Sequence, residues 1–208
     1  MKILIELPTW LGDTIMVTPA IENLANYFQN SQITIIGSLV AISAFENHPK
    51  VVAVYVLDKK FSNLYKTIRN FHEFEVFFSF RGSFRSKFIN FFISSKSYYQ
   101  FDKKKYDKGH QVEKYNNFIN DSLDIYSTPS HLILHMKQQK ISGKNKLLGI
   151  NPGATYGNAK RWYPKEFADV AAYLSNDYDI IIFGGPREQV IAKDIEEYLT
   201  KKGVFNFK

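Results

Sequence analysis

Apolar runs of strand length alternate along the chain with segments of helical length. The runs that predict the first strands cover residues 3–7, 33–36, 51–57 and 74–80. Between the first two, apolar side chains recur at i, i+3, i+4 and i+7 over residues 21–28, which predicts one buried face of a helix. Strands that alternate with helices are typical of βαβ units on a parallel sheet, so we predict an α/β fold.

The start of that first helix is left open by Pro19. This residue suits the first turn of a helix that Thr18 caps, or a kink in a helix that begins near Asp13. Further along, apolar side chains share one side of a predicted helix over residues 111–124. We expect this later helix to complete the first unit of the fold.

A change of composition after that helix predicts a domain boundary. Residues 127–145 contain Pro129, Gly143 and the polar stretch 137–140, and residues 143–146 are typical of a linker. We therefore predict an N-terminal domain over residues 1–143 and a second domain over residues 144–208. The second domain has two strand patterns, 147–150 and 179–183, each followed by a helical pattern. Because that is about half of an ordinary sheet domain, we expect only its first βαβα part and a C-terminal truncation.

Composition narrows the class of protein. A chain of 208 residues with 45% hydrophobic residues can bury a proper core. The absence of cysteine excludes disulfide scaffolds and thiolate metal sites, and it fits a cytoplasmic location. The N-terminal apolar run is broken at Glu6 and is too short for a signal peptide. The net charge of +7 favours anionic partners, but no nucleic-acid reader motif accompanies it, so we predict no nucleic-acid role.

The first strand is followed directly by Trp10-Leu-Gly-Asp-Thr14. Open α/β folds bind their ligands at the carboxyl edge of the sheet, where we expect this segment to lie. Gly12 would let a substrate approach the backbone closely, and Asp13 offers a carboxylate where a helix begins. The residues alone do not separate a chemical role for Asp13 from helix capping.

The equivalent position in the second unit carries Asn-Pro-Gly-Ala-Thr-Tyr-Gly-Asn-Ala-Lys-Arg-Trp, residues 151–162. Its backbone N–H groups, the helix start near Pro164 and the cations Lys160 and Arg161 suit a phosphate. The spacing is that of neither a Walker loop nor G-x-G-x-x-G. A solvated basic loop is the alternative.

A third polar group, residues 81–87, follows the fourth strand. Arg81, Ser83 and Arg85 are suited to an anionic acceptor, because arginine binds phosphate through two N–H groups at once. Solvated residues at the start of a helix are the alternative.

The five histidines form no recognisable metal motif. His131 and His135 share one face of a predicted strand, but no third ligand accompanies them, and the other three histidines are scattered along the chain. We predict no metal site and no cofactor.

Two of these motifs resemble a known family when they are taken together. Pro8-Thr-Trp-Leu-Gly-Asp-Thr14 and Pro152-Gly-Ala-x-x-Gly-x-Ala-Lys-Arg-Trp162 are similar to the paired signature of the ADP-heptose:lipopolysaccharide heptosyltransferases, glycosyltransferase family 9, and closest to its heptosyltransferase II branch. The resemblance extends to Ser83-Phe-Arg-Ser86, His48-Pro49 and His110-Gln-Val-Glu-Lys-Tyr115. It spans nearly the whole chain, and two long motifs in the right order are more specific than either alone.

The resemblance implies a GT-B fold, in which two Rossmann-like domains face each other across a cleft. It implies inverting transfer of heptose from ADP-heptose to the phosphorylated inner core of lipopolysaccharide or lipooligosaccharide, without a dedicated metal. Asp13 matches the catalytic aspartate of the family. The candidate acceptor-binding residues are Trp10, Gly12, Arg81, Ser83 and Arg85, and the candidate donor-binding residues are Gly153, Ala154, Thr155, Lys160 and Glu188.

Glu188 is included among the candidate donor-binding residues for a different reason. It follows Gly184-Gly-Pro186, and acidic residues after second strands bind ribose hydroxyls in nucleotide-binding folds. An acid in the first turn of a helix is the alternative.

The chain departs from the family pattern in two places. An Asp-[Ser/Thr]-Gly-x-x-His segment of the family's later C-terminal half does not occur, and Tyr163 stands between Trp162 and Pro164. Two alternatives therefore stay open: a non-catalytic fragment or paralogue that binds the phosphorylated core, or another GT-B sugar-nucleotide enzyme such as a 2-epimerase. The expected location is the cytoplasm, with peripheral contact at the inner face of the cytoplasmic membrane.

Overall fold

The computed structural model describes residues 1–58, 60–69, 71, 73–137, 145–154 and 157–208. The chain divides into two compact units, Met1–Gln138 and Gln139–Lys208. The predicted boundary between residues 143 and 144 lies outside the described residues, so its exact place stays a prediction.

Five parallel strands form the sheet of the first unit, in the order β3-β2-β1-β4-β5. They are β1 (Lys2–Glu6), β2 (Gln32–Gly37), β3 (Val51–Val56), β4 (Phe74–Ser79) and β5 (Ser95–Gln100). The first four confirm the predicted strands to within one residue at each end. The α/β class with a parallel sheet is therefore confirmed, whereas β5 was not predicted.

The direction of the strand order reverses between β1 and β4. β2 and β3 lie on one side of β1, and β4 and β5 lie on the other. At such a reversal the loops that follow the two central strands diverge, which opens a crevice at the carboxyl edge of the sheet. The register places Glu6, the last residue of β1, opposite Ser79, the last residue of β4.

Helices cover both faces of this sheet. They are α1 (Leu11–Met16), α2 (Thr18–Tyr27), α3 (Leu39–Ser43), α4 (Phe61–Ile68), α5 (Phe84–Phe92) and α6 (Gln111–Leu123). Side chains along a strand point alternately to its two faces. Ile3 and Ile5 accordingly pack with residues of α2, α3 and α6, whereas Leu4 packs with Leu64 of α4 and Ile89 of α5.

The question that Pro19 left open is answered by two consecutive helices. α1 begins at Leu11, and α2 begins at Thr18 with Pro19 in its first turn. Thr18 does not cap α2, because its hydroxyl donates instead to the carbonyl oxygen of Ile15 (2.8 Å). The chain is thus closer to the alternative of a helix that starts before Asp13 and breaks ahead of the proline.

The second unit contains β6 (Lys146–Ile150), a 3₁₀ helix (Asn158–Lys160), α7 (Pro164–Leu174), β7 (Tyr178–Ile182) and α8 (Gln189–Lys201). β6 and β7 pair in parallel, and Asn206 and Lys208 exchange backbone hydrogen bonds with Ile180 on the other side of β7 (2.8 and 3.0 Å). Both helices bury small or branched residues against the sheet, among them Ala168, Ala171 and Ile195. Val170, on the outer side of α7, is 45% exposed.

After α6 the chain continues as a strap without a strand, residues 125–137, so the strand predicted around His131 and His135 is wrong. Polar side chains hold the strap against α2 and α6. Asn116 is fully buried, donates to the carbonyl oxygen of Ser127 (2.6 Å) and accepts from the amide of Asn23 (2.8 Å). A buried amide with both of its ends bonded ties the segment firmly to the unit.

Asn116→Ala should lower the free energy of unfolding by about 1–3 kcal/mol, because two partly buried polar partners would each lose one hydrogen bond to a fully buried amide. Urea denaturation followed by circular dichroism measures this change. Asn117 is exposed on the same helix, and Asn117→Ala should change the free energy by less than about 0.5 kcal/mol. Equal effects of the two variants would contradict the role given to the buried amide.

Candidate functional site

The loop after β1 brings Asp13 to the start of a helix. Trp10 occupies the N-cap position of α1 with extended backbone, so the half-buried Asp13 lies in the first turn instead of capping the helix. At Gly12, apart from its two chain neighbours and the nearby backbone of its own helix, no atom of the described residues lies within 4 Å of the position that a Cβ would take, which leaves room for a ligand against the backbone.

Helix α6 adds Tyr115 to the surroundings of Asp13. His110 caps this helix, and its backbone N–H donates to Oε2 of Glu113 (3.0 Å). Burial raises the pKa of the Tyr115 phenol, and the negative charge of Asp13 raises it further. The phenol therefore stays protonated within electrostatic reach of the Asp13 carboxylate. Sequence reasoning placed Tyr115 only on the apolar side of α6.

Glu6 is a fully buried carboxylate under the loop after β4, and sequence reasoning did not include it among the site residues. Its Oε2 accepts a hydrogen bond from the Ser79 hydroxyl (2.6 Å), and its Oε1 lies 3.6 Å from Nη1 of Arg81. Burial raises the pKa of Glu6, while the hydroxyls of Ser79 and Ser86 and the charge of Arg81 act in the opposite direction. The one available signal was a charged residue inside an apolar strand.

The loop that carries Arg81 and Ser83 is held from two sides. Ser83 caps α5, because its hydroxyl accepts from the backbone N–H of Ser86 (3.3 Å). The side-chain amide of Gln100, at the end of β5, donates to the carbonyl oxygens of Arg81 (2.9 Å) and Ser83 (3.1 Å). These contacts fix the loop, and the cap formed by Ser83 agrees with the alternative that these residues belong to the start of a helix. The guanidinium of Arg81 nevertheless stays partly exposed.

Arg85 lies on the first turn of α5 beside Arg81. Its guanidinium donates to the carbonyl oxygen of Asp58 and lies over the ring of Phe61, 5.8 Å from the ring centroid. Burial lowers the pKa of Arg85, and the positive charge of Arg81 lowers it further. The structure thus brings Arg81, Ser83 and Arg85 together, and two neighbouring guanidinium groups suit an anion with more than one charge.

In the second unit, the predicted donor-binding residues Gly153 and Glu188 lie against each other. A Cβ on Gly153 would come within 2.8 Å of Cγ of Glu188, so glycine is needed for this close approach. Oε2 of Glu188 accepts from the backbone N–H of Gly185 (2.9 Å). This contact gives Glu188 a structural role at the start of α8, and its contact with a ribose stays a prediction.

The two neighbouring cations of the loop after β6, Lys160 and Arg161, have different surroundings. Lys160 ends the 3₁₀ helix with an exposed side chain. Arg161, predicted as a second phosphate-binding cation, donates to the carbonyl oxygen of Ala154 (3.1 Å) and thereby supports the loop. Thr155 lies outside the described residues.

A separate polar cluster joins Glu22, His48 and His135 from three distant segments. Oε1 of Glu22 lies 2.6 Å from Nε2 of His135 and 3.3 Å from Nε2 of the buried His48. Two imidazoles and a carboxylate are a common metal-binding set. However, Nδ1 of His48 accepts from the backbone N–H of Lys50 (3.2 Å), so the proton of the neutral ring lies on Nε2. A metal-binding imidazole has the reverse arrangement, so the cluster fits hydrogen bonding to Glu22.

Glu6→Gln should raise the midpoint of thermal unfolding near pH 7. A group whose pKa is raised by folding stabilises the fold below its unfolded pKa, and that contribution is lost as the pH rises through the folded pKa. The amide carries no charge that must be desolvated, so its advantage should appear near neutral pH and vanish at about pH 4. Differential scanning calorimetry over this pH range measures the effect.

Glu75→Gln is the matched control, because Glu75 is a half-buried strand carboxylate on β4. It should not raise the midpoint near pH 7. A Glu6→Gln variant that is less stable than the parent near pH 7 and equally stable at about pH 4 would show that the ion pair with Arg81 outweighs desolvation.

Comparison with known proteins identifies the family. Residues 64–206 match the model of glycosyltransferase family 9 (heptosyltransferase). The chain is 38% identical over 213 residues to lipooligosaccharide heptosyltransferase 2 of Campylobacter jejuni, in an alignment that covers 98% of this chain and 66% of the relative. The chain therefore spans about two thirds of the length of that relative.

Two solved structures share the fold. One is a glycosyl transferase family 9 protein from Veillonella parvula, with a TM-score of 0.78, 21% identity, and coverage of 94% of this chain and 66% of the other. The second is the E. coli ADP-heptose lps heptosyltransferase II, with a TM-score of 0.74, 20% identity, and coverage of 97% and 70%. With a family match over residues 64–206 and a relative that is 38% identical, the chain belongs to glycosyltransferase family 9, the heptosyltransferases.

Proposed function

We propose that the chain functions in the transfer of heptose, with inversion, from ADP-heptose to the inner core of lipopolysaccharide or lipooligosaccharide. The observation that carries the proposal is the strand reversal between β1 and β4. It brings the loop with Asp13 and the loop with Arg81 and Ser83 to the same edge of one sheet. Family membership and the name of the E. coli neighbour support the donor and the acceptor class.

In this proposal the protein has a GT-B organisation. The first unit receives the acceptor, and the second unit is the first part of a donor-binding domain. The 2-epimerase alternative is not favoured, because the family match and the curated relative both belong to heptosyltransferases.

The proposed reaction is a single displacement at the anomeric carbon of the heptose. A hydroxyl oxygen of the acceptor forms the new bond to this carbon, and the bond to the phosphate oxygen of ADP breaks on the opposite face. The hydroxyl proton passes to the carboxylate of Asp13, which acts as the general base. The carboxylate of Asp13 lies in the first turn of α1 and is half-buried, so it is partly accessible to a substrate hydroxyl.

The acceptor would be held through its charge. Phosphate groups on the inner core match the neighbouring guanidinium groups of Arg81 and Arg85, and Ser83 adds a hydroxyl to the same loop. Gly12 leaves space beside the backbone, and the half-exposed Trp10 offers an apolar surface to a sugar ring. In this proposal, the net positive charge of the chain serves to bind the phosphate groups of the acceptor.

On the donor side, negative charge develops on the pyrophosphate as the anomeric bond breaks. Lys160 and the backbone N–H groups of Gly153 and Ala154 would stabilise this charge most strongly in the transition state. Thr155 belongs to the same proposed loop. The lipid-borne acceptor also implies peripheral contact with the inner face of the cytoplasmic membrane.

A binding module without catalysis is the alternative function, and it is not favoured, because the family match and the curated relative both belong to heptosyltransferases. An assay of heptose transfer from radiolabelled ADP-heptose to the core oligosaccharide tests the two functions. Transfer supports the enzyme, whereas saturable binding of the oligosaccharide without release of ADP supports the binding module.

Asp13→Asn should reduce the rate of transfer by at least about 100-fold, because the amide cannot accept the hydroxyl proton. Affinity for ADP should not change, since Asp13 belongs to the acceptor side of the proposed site. Steady-state kinetics and isothermal titration calorimetry measure the two quantities. Asp177 is exposed in the second unit, and Asp177→Asn is the control for the exchange itself. Unchanged turnover in Asp13→Asn would rule out the proposed base.

Lys160→Ala should weaken the binding of ADP by roughly tenfold, because one charge-assisted contact to the pyrophosphate is removed. Calorimetric titration with ADP measures the loss. Lys193 lies exposed on α8, and Lys193→Ala should bind ADP as tightly as the parent chain. Equal affinities for all three proteins would show that Lys160 does not contact the pyrophosphate.

A further inference from the structure

Helix α5 is apolar on its outer side as well as on its inner side. Ser86 and Ile89 point into the unit, as does Ile93, which follows the helix. Phe84, Phe88 and Phe91 occupy the opposite side at i, i+4 and i+7. Phe84 is 82% exposed and Phe91 is 81% exposed. A surface helix normally turns charged or polar residues to solvent, so this outer side indicates an interaction.

Helix α4 extends the same surface. Phe61 of α4 packs edge to face against Phe88, with ring centroids 5.0 Å apart, and Tyr65 packs in the same way against Phe92 at 5.2 Å. Phe61 is 51% exposed and Tyr65 is 44% exposed. We call the surface formed by these residues the aromatic face: Phe61, Tyr65, Phe84, Phe88, Phe91 and Phe92.

The charged side chains on α4 and α5 have one sign, which is positive. The sequence has no Asp or Glu in residues 59–72, nor in residues 80–101. Exposed cations on or beside the two helices are Lys60, Lys66, Arg69 and Lys87. Asp58 lies at the rim, where its carboxylate accepts from the backbone N–H of Lys60 (2.8 Å) and from the amide of Asn63 (2.9 Å).

We propose that the aromatic face docks onto an anionic phospholipid bilayer. Aromatic rings are favoured at the boundary between headgroups and acyl chains, and each cation near an anionic leaflet adds to the attraction. Among the described residues, no helix has the length and apolar character needed to cross a membrane. The surface therefore fits a protein that lies on the bilayer at this face.

The charge pattern also distinguishes between two possible occupants of the aromatic face, a lipid surface and a second copy of the chain. A symmetric dimer through the aromatic face would bring its cations opposite the same cations of the partner copy, which is unfavourable. An anionic bilayer offers phosphates to these cations and an apolar boundary to the rings. The charge complementarity thus favours lipid as the occupant.

The inference rests on the proposed function for its setting, because a lipid-borne acceptor lies at such a surface. The aromatic face shares α5 with the proposed acceptor residues, since Ser83 caps that helix and Arg85 lies in its first turn. Docking here would bring the acceptor loop close to the headgroups. The test below measures lipid binding without turnover, so a failure of this inference leaves the transfer assay unaffected.

Flotation of the chain with vesicles tests the proposal. The probes are vesicles of phosphatidylcholine alone and vesicles of phosphatidylcholine mixed with phosphatidylglycerol. We expect binding to the mixed vesicles that is weakened by salt. Phe91→Ser should reduce the partition coefficient by roughly tenfold, through the loss of one inserted ring. Arg69→Glu and Lys87→Glu should each reduce it by at least about fivefold on the mixed vesicles alone.

Matched controls replace exposed residues elsewhere. Tyr126→Ser and Tyr173→Ser remove aromatic rings that are 92% and 85% exposed, and Lys104→Glu reverses an exposed charge outside the two helices. None of the three should change the partition coefficient. Circular dichroism melting curves show whether each variant is folded.

A Phe84→Trp variant gives a second readout that does not depend on the loss of binding. Its additional indole should shift its emission to shorter wavelength on mixed vesicles and be quenched by a lipid that carries a spin label at the top of its acyl chain. Indistinguishable binding of the face variants and the control variants would overturn the proposal. So would a dimer in analytical ultracentrifugation that Phe91→Ser dissociates, since the second copy would then be the occupant.

Discussion

The pairing of β1 with β4 is the contact on which the candidate site of the first unit depends. Two strands that are distant in sequence lie side by side at the centre of the sheet, and their last residues, Glu6 and Ser79, stand opposite each other. The chain after each strand leaves from the same edge. One loop carries Asp13, and the other carries Arg81 and Ser83. Any shift in this register would separate the carboxylate from the cations.

Much of this arrangement could be predicted from local pattern. Buried parallel strands appear as continuous apolar runs, and β1, β2 and β4 were found for that reason. The edge strand β3 is largely exposed, but its sequence is an apolar run as well. β5 was missed because it is an edge strand, Ser95-Lys-Ser-Tyr-Tyr-Gln100, with half of its surface in solvent and few apolar residues. The strap after α6 was mistaken for a strand because residues 132–134 form a short apolar run, whereas the partners that fix the strap lie on α2 and α6.

The residues of the candidate site also fall into those that the sequence predicts and those that it does not. Motif residues such as Asp13 and Arg81 are visible in sequence because they follow strands, where ligand-binding loops are expected. The residues that position them are not visible. Glu6, Gln100 and Tyr115 reach the site only because the sheet and α6 bring them there. In the same way, the cluster of Glu22, His48 and His135 combines residues more than 20 positions apart in sequence, so no spacing rule predicts it.

Helix α5 combines two features that are each unfavourable by themselves, a buried charge beneath it and exposed aromatic rings on its outer side. Beneath it, the Glu6 carboxylate is held without water, at a cost in desolvation, against the hydroxyls of Ser79 and Ser86 and the charge of Arg81. On its outer side, Phe84 and Phe91 are held in water, which is unfavourable for apolar rings. Neither arrangement is needed to form the helix, since Ile89 already anchors it to the sheet and Ser83 caps it. Local stability alone therefore does not account for either arrangement.

Both the buried carboxylate and the exposed rings lie next to one loop, the loop that presents Arg81 and Ser83. The proposed anion-binding role of this loop and the proposed docking of α5 onto an anionic surface together account for both features with one orientation of the unit.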